Sequence, residues 1–157
     1  LALTPVVAGQ ATPPALPAWS PGTLDIHHIV TGRGNSTLFV FPDATTMLVD
    51  AAAVVSAPAH ADPRPDGSRT PGAWIADYVR QMHPTPARPR LDYAVVTHFH
   101  ADHFGEVTPA GRKDAAGVTL TGMTEVLDLL GAAVVVVVEF ALEAFEHVDH
   151  PREAGLF

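Results

Sequence analysis

The sequence predicts a protein of the α/β class, on three observations. Three short strand patterns come first, an amphipathic helix follows them, and a further strand then runs into a polar loop. The strand patterns are Leu24 to Val30, Thr37 to Phe41 and Thr46 to Val49, rich in β-branched and aromatic residues. Pro42, Asp43 and Ala44 supply the turn between the last two, since Pro-Asp favours a reversal. Together they predict a β-meander, the start of a sheet.

The helix is predicted from Thr70 onward. Thr70 suits an N-cap and Pro71 the first helical position, where a missing N–H costs nothing. Trp74, Ile75, Tyr78, Val79 and Met82 recur at helical spacing and give one apolar face, read as core. The helix should end near His83, because Pro84 disfavours a helical residue before it. Residues 56–71 read as a polar loop over which His60 and Asp62 are spread, and His27 and His28 read as structural residues of the first strand.

Leu91 to Val96 reads as a buried strand. Beyond residue 106 the pattern gives a loop over 107–116, a short strand over Val118 to Leu120, and a helix over Met123 to Leu130 with Thr121 as its cap. Ala132 to Phe140 is an apolar strand, with a helix expected over Ala141 to His147. Val134 to Val138 is an unbroken valine run with no alternation, which predicts a strand covered on both faces.

Residues 97–103 read Thr-His-Phe-His-Ala-Asp-His, and this stretch carries the chemistry. His98, His100, Asp102 and His103 are nitrogen and oxygen donors of the kind that bind zinc or a similar divalent ion. His98 and His100 are two apart, so in an extended segment both imidazoles point to one side. Asp102 and His103 are adjacent and, at a turn or a helix start, can face a second ion. The four donors fit one closed site or two open ones. Open positions leave room for water, as in hydrolytic centres. With no cysteine in the chain, structural zinc sites built on thiolates are excluded.

The run His98-Phe99-His100-Ala101-Asp102-His103 resembles the His-x-His-x-Asp-His signature of the metallo-β-lactamase superfamily. The upstream sequence agrees with it. Gly32 to Thr37 followed by Leu38 to Phe41 is similar to that family's opening strand pair, and Thr46 to Ala51 to its strand ending in Asp-Ala or Asp-Gly. The resemblance covers roughly residues 24–110. It implies an αββα sandwich, of which this chain would hold mainly the N-terminal half. It also implies a zinc-dependent hydrolase with one or two Zn2+ ions, in which a metal-bound hydroxide attacks an ester, amide, thioester or phosphodiester. Carried over by position, His98 and His100 would bind the first ion, and Asp102 and His103 the second. Asp102 would also orient the hydroxide, as the catalytic residue. Asp50 would be a carboxylate that orients the ligand loop.

The family's later ligands have no clear counterpart. After His103 the only further histidines are His147 and His150, of which His150 is the nearest to an extra ligand. The expected organisation is a lead-in over residues 1–22 and an incomplete metallo-β-lactamase-like domain over 23–157, truncated at both ends. Residues 1–11 resemble the end of a secretory signal peptide, with small residues Gly9 and Ala11 at the cleavage positions, and predict a periplasmic or secreted protein. A Pro-rich stretch over 12–22 then reads as an extended lead-in. The competing expectation is a non-catalytic truncated metal-binding fragment.

The formal net charge of −8 argues against broad attraction to nucleic-acid phosphates. It leaves a nuclease open, since bound zinc is locally positive. No run approaches the ~18 consecutive apolar residues of a membrane span, so no membrane partner is expected. The expected partner is a small-molecule substrate.

Overall fold

The computed structural model describes residues 16–56, 66–109 and 111–138. It shows a mixed α/β fold. The elements in chain order are β1 (Asp25–His28), β2 (Ser36–Val40), β3 (Thr46–Ala51), α1 (Pro71–Met82), β4 (Leu91–Val96), α2 (Gly122–Leu130) and β5 (Ala132–Val137). The strands form one sheet in the order β1-β2-β3-β4-β5. The first three make the expected antiparallel meander. β3, β4 and β5 then run parallel, and each helix lies in the crossover that such pairing requires.

The meander closes where expected. Ala44 N–H donates to Phe41 O at 2.9 Å and Phe41 N–H to Thr45 O at 2.8 Å, with Ala44 in the left-handed region at φ +69°. Asp43 accepts from Thr45 N–H, and that bond holds its carboxyl below the ordinary range. β1 is shorter than its sequence pattern, because the chain turns away through residues 31–34 after a last bond from Ile29 N–H to Ser36 O.

The limits of α1 are those read from sequence. Thr70 Oγ1 accepts from Ala73 N–H, Pro71 occupies the first turn, and His83 is the C-cap. Thr70 Oγ1 also donates to Glu125 Oε1 at 2.7 Å, so a buried carboxylate on α2 closes the N-terminus of α1. α2 likewise begins after Thr121, whose N–H donates to Thr124 Oγ1. It ends at Gly131, whose φ of +73° few other residues adopt. The strand expected over Val118 to Leu120 reduces to one bridge between Lys113 and Thr119.

One face of the sheet is covered. Leu38, Val40, Leu48, Ala94 and Val96 point from β2, β3 and β4 onto Ile75 and Val79 of α1 and Met123 and Val126 of α2. Thr46 is fully buried at the start of β3. Its N–H and Oγ1–H both donate to Asp92 Oδ2, at 2.8 and 2.9 Å, which fixes β3 against β4. The opposite face carries Ile26, Phe39, Met47, Tyr93 and Val134 in one row across the strands. No other element of the described residues lies on it, and Tyr93 and Val134 are 41% and 44% exposed.

β5 departs from expectation. Its valine run predicts burial on both faces, yet Val134 through Val137 are all exposed, with Val135 at 52%. The strand sits at the sheet edge, and α2 packs toward β3 and α1 rather than over it. Full apolarity thus reflects a need for cover that nothing among the described residues meets. The expectations on residues 1–11, His60, Asp62, Phe140, the helix over Ala141 to His147, and His150 lie outside the described residues.

This contrast is measurable. Leu48→Ala should destabilise by ~2–5 kcal/mol, as for any fully buried leucine, whereas Val135→Ala should cost less than ~1 kcal/mol. Urea unfolding of the two variants checks it, and a Val135 cost equal to that of Leu48 would mean that β5 is covered.

Candidate metal centre

Parallel pairing brings the ends of β3 and β4 to the same edge. Val49 pairs with Val95, so Asp50 leaves β3 directly beside Thr97 and the histidine loop that follows β4. Asp50 is 3% exposed and left-handed, at φ +55°. Asp tolerates that region better than most residues, though at a cost of order 1 kcal/mol.

Its carboxylate gathers three donors. Thr97 N–H reaches Oδ1 at 2.9 Å, Thr97 Oγ1 lies 2.8 Å from Oδ2, and His103 Nδ1 lies 2.7 Å from Oδ2. The position expected to orient the loop therefore contacts the residue that opens it and its last histidine.

The loop itself forms one helical turn. His103 N–H and Phe104 N–H donate to His100 O at 3.0 and 2.8 Å, and Gly105 N–H to Ala101 O. Of the turn or helix start expected at Asp102 and His103, the structure forms a single turn that ends at once. Gly105 adopts φ +113°, and a Cβ there would strike Thr121 and Gly122. The close approach is mutual: a Cβ on Gly122 would collide with the carbonyl oxygens of Ala51 and Phe104. Phe104 O accepts from Met123 N–H, which ties the turn to α2.

Asn35 holds the other side. Its N–H donates to Asp102 O at 2.7 Å, its carbonyl accepts from Ala52 N–H, and its side-chain amide lies 3.1 Å from His103 Nε2. Ala51 N–H donates to His103 O. Glu106 carries the next anchor, accepting from Val55 N–H at 2.7 Å and Ser56 N–H at 2.9 Å. Hydrogen bonding by the Ser56 side chain, and then by the two backbone N–H groups, holds the Glu106 carboxyl below its ordinary 4.5 against a smaller opposing effect of desolvation.

Within this frame His98, His100 and Asp102 converge, with one donor atom from each lying within 4.8 Å of the others. His100 is exposed and the other two are half-buried. Ligands of one tetrahedral zinc stand ~3.3 Å apart, so the three would have to draw closer to share an ion. His103 stands beside them, its ring centroid 3.9 Å from that of His98 and its Nε2 3.8 Å from Asp102 Oδ2. It is not in the converging group. Asp50 holds one of its nitrogens and the Asn35 amide faces the other. Sequence reading brought out the four donors and Asp50. It passed over Thr97 and Glu106, and gave Asn35 no role, because none of these is a metal-ligand type at a ligand spacing.

A cavity of about 820 Å³ lies elsewhere, lined by Val30, Val54, Arg69, Trp74 and Tyr78 and by none of the histidine-loop residues. No helix among the described residues is long and apolar enough to cross a membrane. Comparison with family models, curated proteins and solved structures finds no match for this chain.

Two outcomes are expected. Asp50→Ala and Asp50→Gly both remove three hydrogen bonds and should each cost ~2–4 kcal/mol. Glycine should be the milder by ~1 kcal/mol, because only alanine keeps a Cβ in the left-handed region. Chemical denaturation compares them. Glu106, with its lowered pKa, should hold Val55 and Ser56 fully at and above its ordinary 4.5 and release them as pH falls below that value. Their amide shifts in an NMR pH titration should move together with a midpoint under 4.5, and should lose that step in Glu106→Gln.

Proposed function

We propose that this chain carries the metal-binding part of a zinc-dependent hydrolase of the metallo-β-lactamase type, its sheet being one half of an αββα sandwich. The observation that carries the reading is the convergence of His98, His100 and Asp102 at the end of β4. Two imidazoles and one carboxylate are a donor set that zinc accepts, and three protein ligands leave a coordination position for water or substrate. The sheet face opposite the helices, uncovered among the described residues, agrees with a second layer lying there.

Bound zinc supplies a Lewis acid and lowers the pKa of a coordinated water towards ~7. The remaining work falls to the chain. Asp102 has two carboxylate oxygens: one would hold the ion, and the other would accept a hydrogen bond from the water that it activates. His103, if the Asn35 amide moves aside, offers Nε2 to a second ion. Asp50 keeps the loop in place beneath them. The substrate class is a small molecule with an ester, amide, thioester or phosphodiester link.

A second reading is favoured by one observation: His103 is engaged by Asp50 and faces Asn35, so among the described residues three donors converge rather than four. On that reading the chain binds zinc without turnover.

The test is metal content together with turnover. After gel filtration the protein should hold about one zinc per chain, and His98→Ala or Asp102→Ala should lower it at least tenfold. Hydrolysis of a panel of ester, thioester and phosphodiester substrates should fall in parallel. Zinc retained without turnover of any substrate favours the second reading, and unchanged zinc in His98→Ala refutes both.

A further inference from the structure

We propose that Thr97 is a positioning residue that carries the influence of Asp50 to His98 and fixes which of its ring nitrogens faces the metal. The inference rests on reading His98, His100 and Asp102 as a zinc site. The Thr97 hydroxyl lies 2.8 and 3.1 Å from the two Asp50 oxygens, 3.2 Å from His98 Nδ1 and 3.1 Å from His103 Nδ1. A hydroxyl has one proton to give and two lone pairs to offer, while a carboxylate only accepts. The Thr97 proton therefore goes to Asp50, and the hydroxyl meets the imidazoles as an acceptor.

Both neighbouring nitrogens must then be N–H. His103 Nδ1–H donates to Asp50 Oδ2 at 2.7 Å, and His98 Nδ1–H donates to Thr97 Oγ1. The lone pair of each ring is left on Nε2. A neutral imidazole ligates through its bare nitrogen, and the partner of the other nitrogen decides which one that is. Asp50 acts on His103 directly. It reaches His98 only through the hydroxyl, since no Asp50 oxygen is hydrogen-bonded to that ring. One buried carboxylate thus sets two tautomers, and Thr97 is the link without which His98 is free to choose.

Two readouts test this without reference to turnover. In the metal-free protein, nitrogen-resolved NMR should show His98 protonated on Nδ1 and, where the ring carries a single proton, bare on Nε2. Thr97→Val keeps the shape and removes the hydroxyl. It should populate both His98 tautomers, leave His103 on Nδ1–H, and weaken zinc binding by calorimetry by about tenfold to a hundredfold. Thr97→Ser should restore both. His98 protonated on Nε2 in the parent protein overturns the inference whether or not the variants fold. So does a valine variant with unchanged tautomer and affinity. In either case zinc binding by the parent leaves the metal site standing, whereas a parent that binds no zinc overturns the site and the role of Thr97 together.

Discussion

The carboxylate of Asp50 is the constraint on which the site depends. It is buried at the end of β3 and bent into the left-handed region. There it takes the backbone and hydroxyl of Thr97 and the ring of His103. A buried carboxylate is costly unless its acceptor positions are filled. The same bonds that satisfy it therefore hold the first and last residues of the histidine loop, and the loop has little freedom left between them. The backbone cost at Asp50 agrees with a position where geometry matters more than local comfort.

That carboxylate reaches its partners because β3 and β4 are parallel. Antiparallel pairing would place the end of one strand beside the start of the other. Parallel pairing through α1 brings both carboxyl ends to one edge, where loops of open α/β sheets carry their ligands. The rest of the frame converges on the same place. Asn35 enters from the β1–β2 turn, Gly122 lets α2 approach Ala51 and Phe104, and Glu106 ties down residues 55 and 56. Four stretches of chain outside it thus fix one turn of backbone.

The sheet is stabilised unevenly. Its helix side has a closed core from Leu38 to Val126. Its other side, with the edge strand β5, leaves valines and Tyr93 uncovered among the described residues. An apolar edge strand is a template for pairing with other chains unless something covers it. The histidine loop belongs to the stable side of this division, because it follows β4, an interior strand whose Ala94 and Val96 lie in the core with α1 and α2.

By itself the sequence determined the local structure and which donor-type side chains lie close together. Proline at N1 and Thr70 at the cap set α1, alternation set β2 and β3, and the spacing of His98, His100 and Asp102 brought together a donor set of a kind that could hold a metal ion. These are short-range effects, and a few adjacent residues suffice to encode them. Tertiary structure alone decided the rest. The exposure of β5 depends on what lies over it, which an apolar run cannot specify. The engagement of His103 by Asp50 and Asn35, and the bonds of Thr97 and Glu106, join residues up to about seventy positions apart. Such contacts follow from strand order and register, and a threonine or an asparagine carries no mark in sequence of the carboxylate or imidazole it will meet.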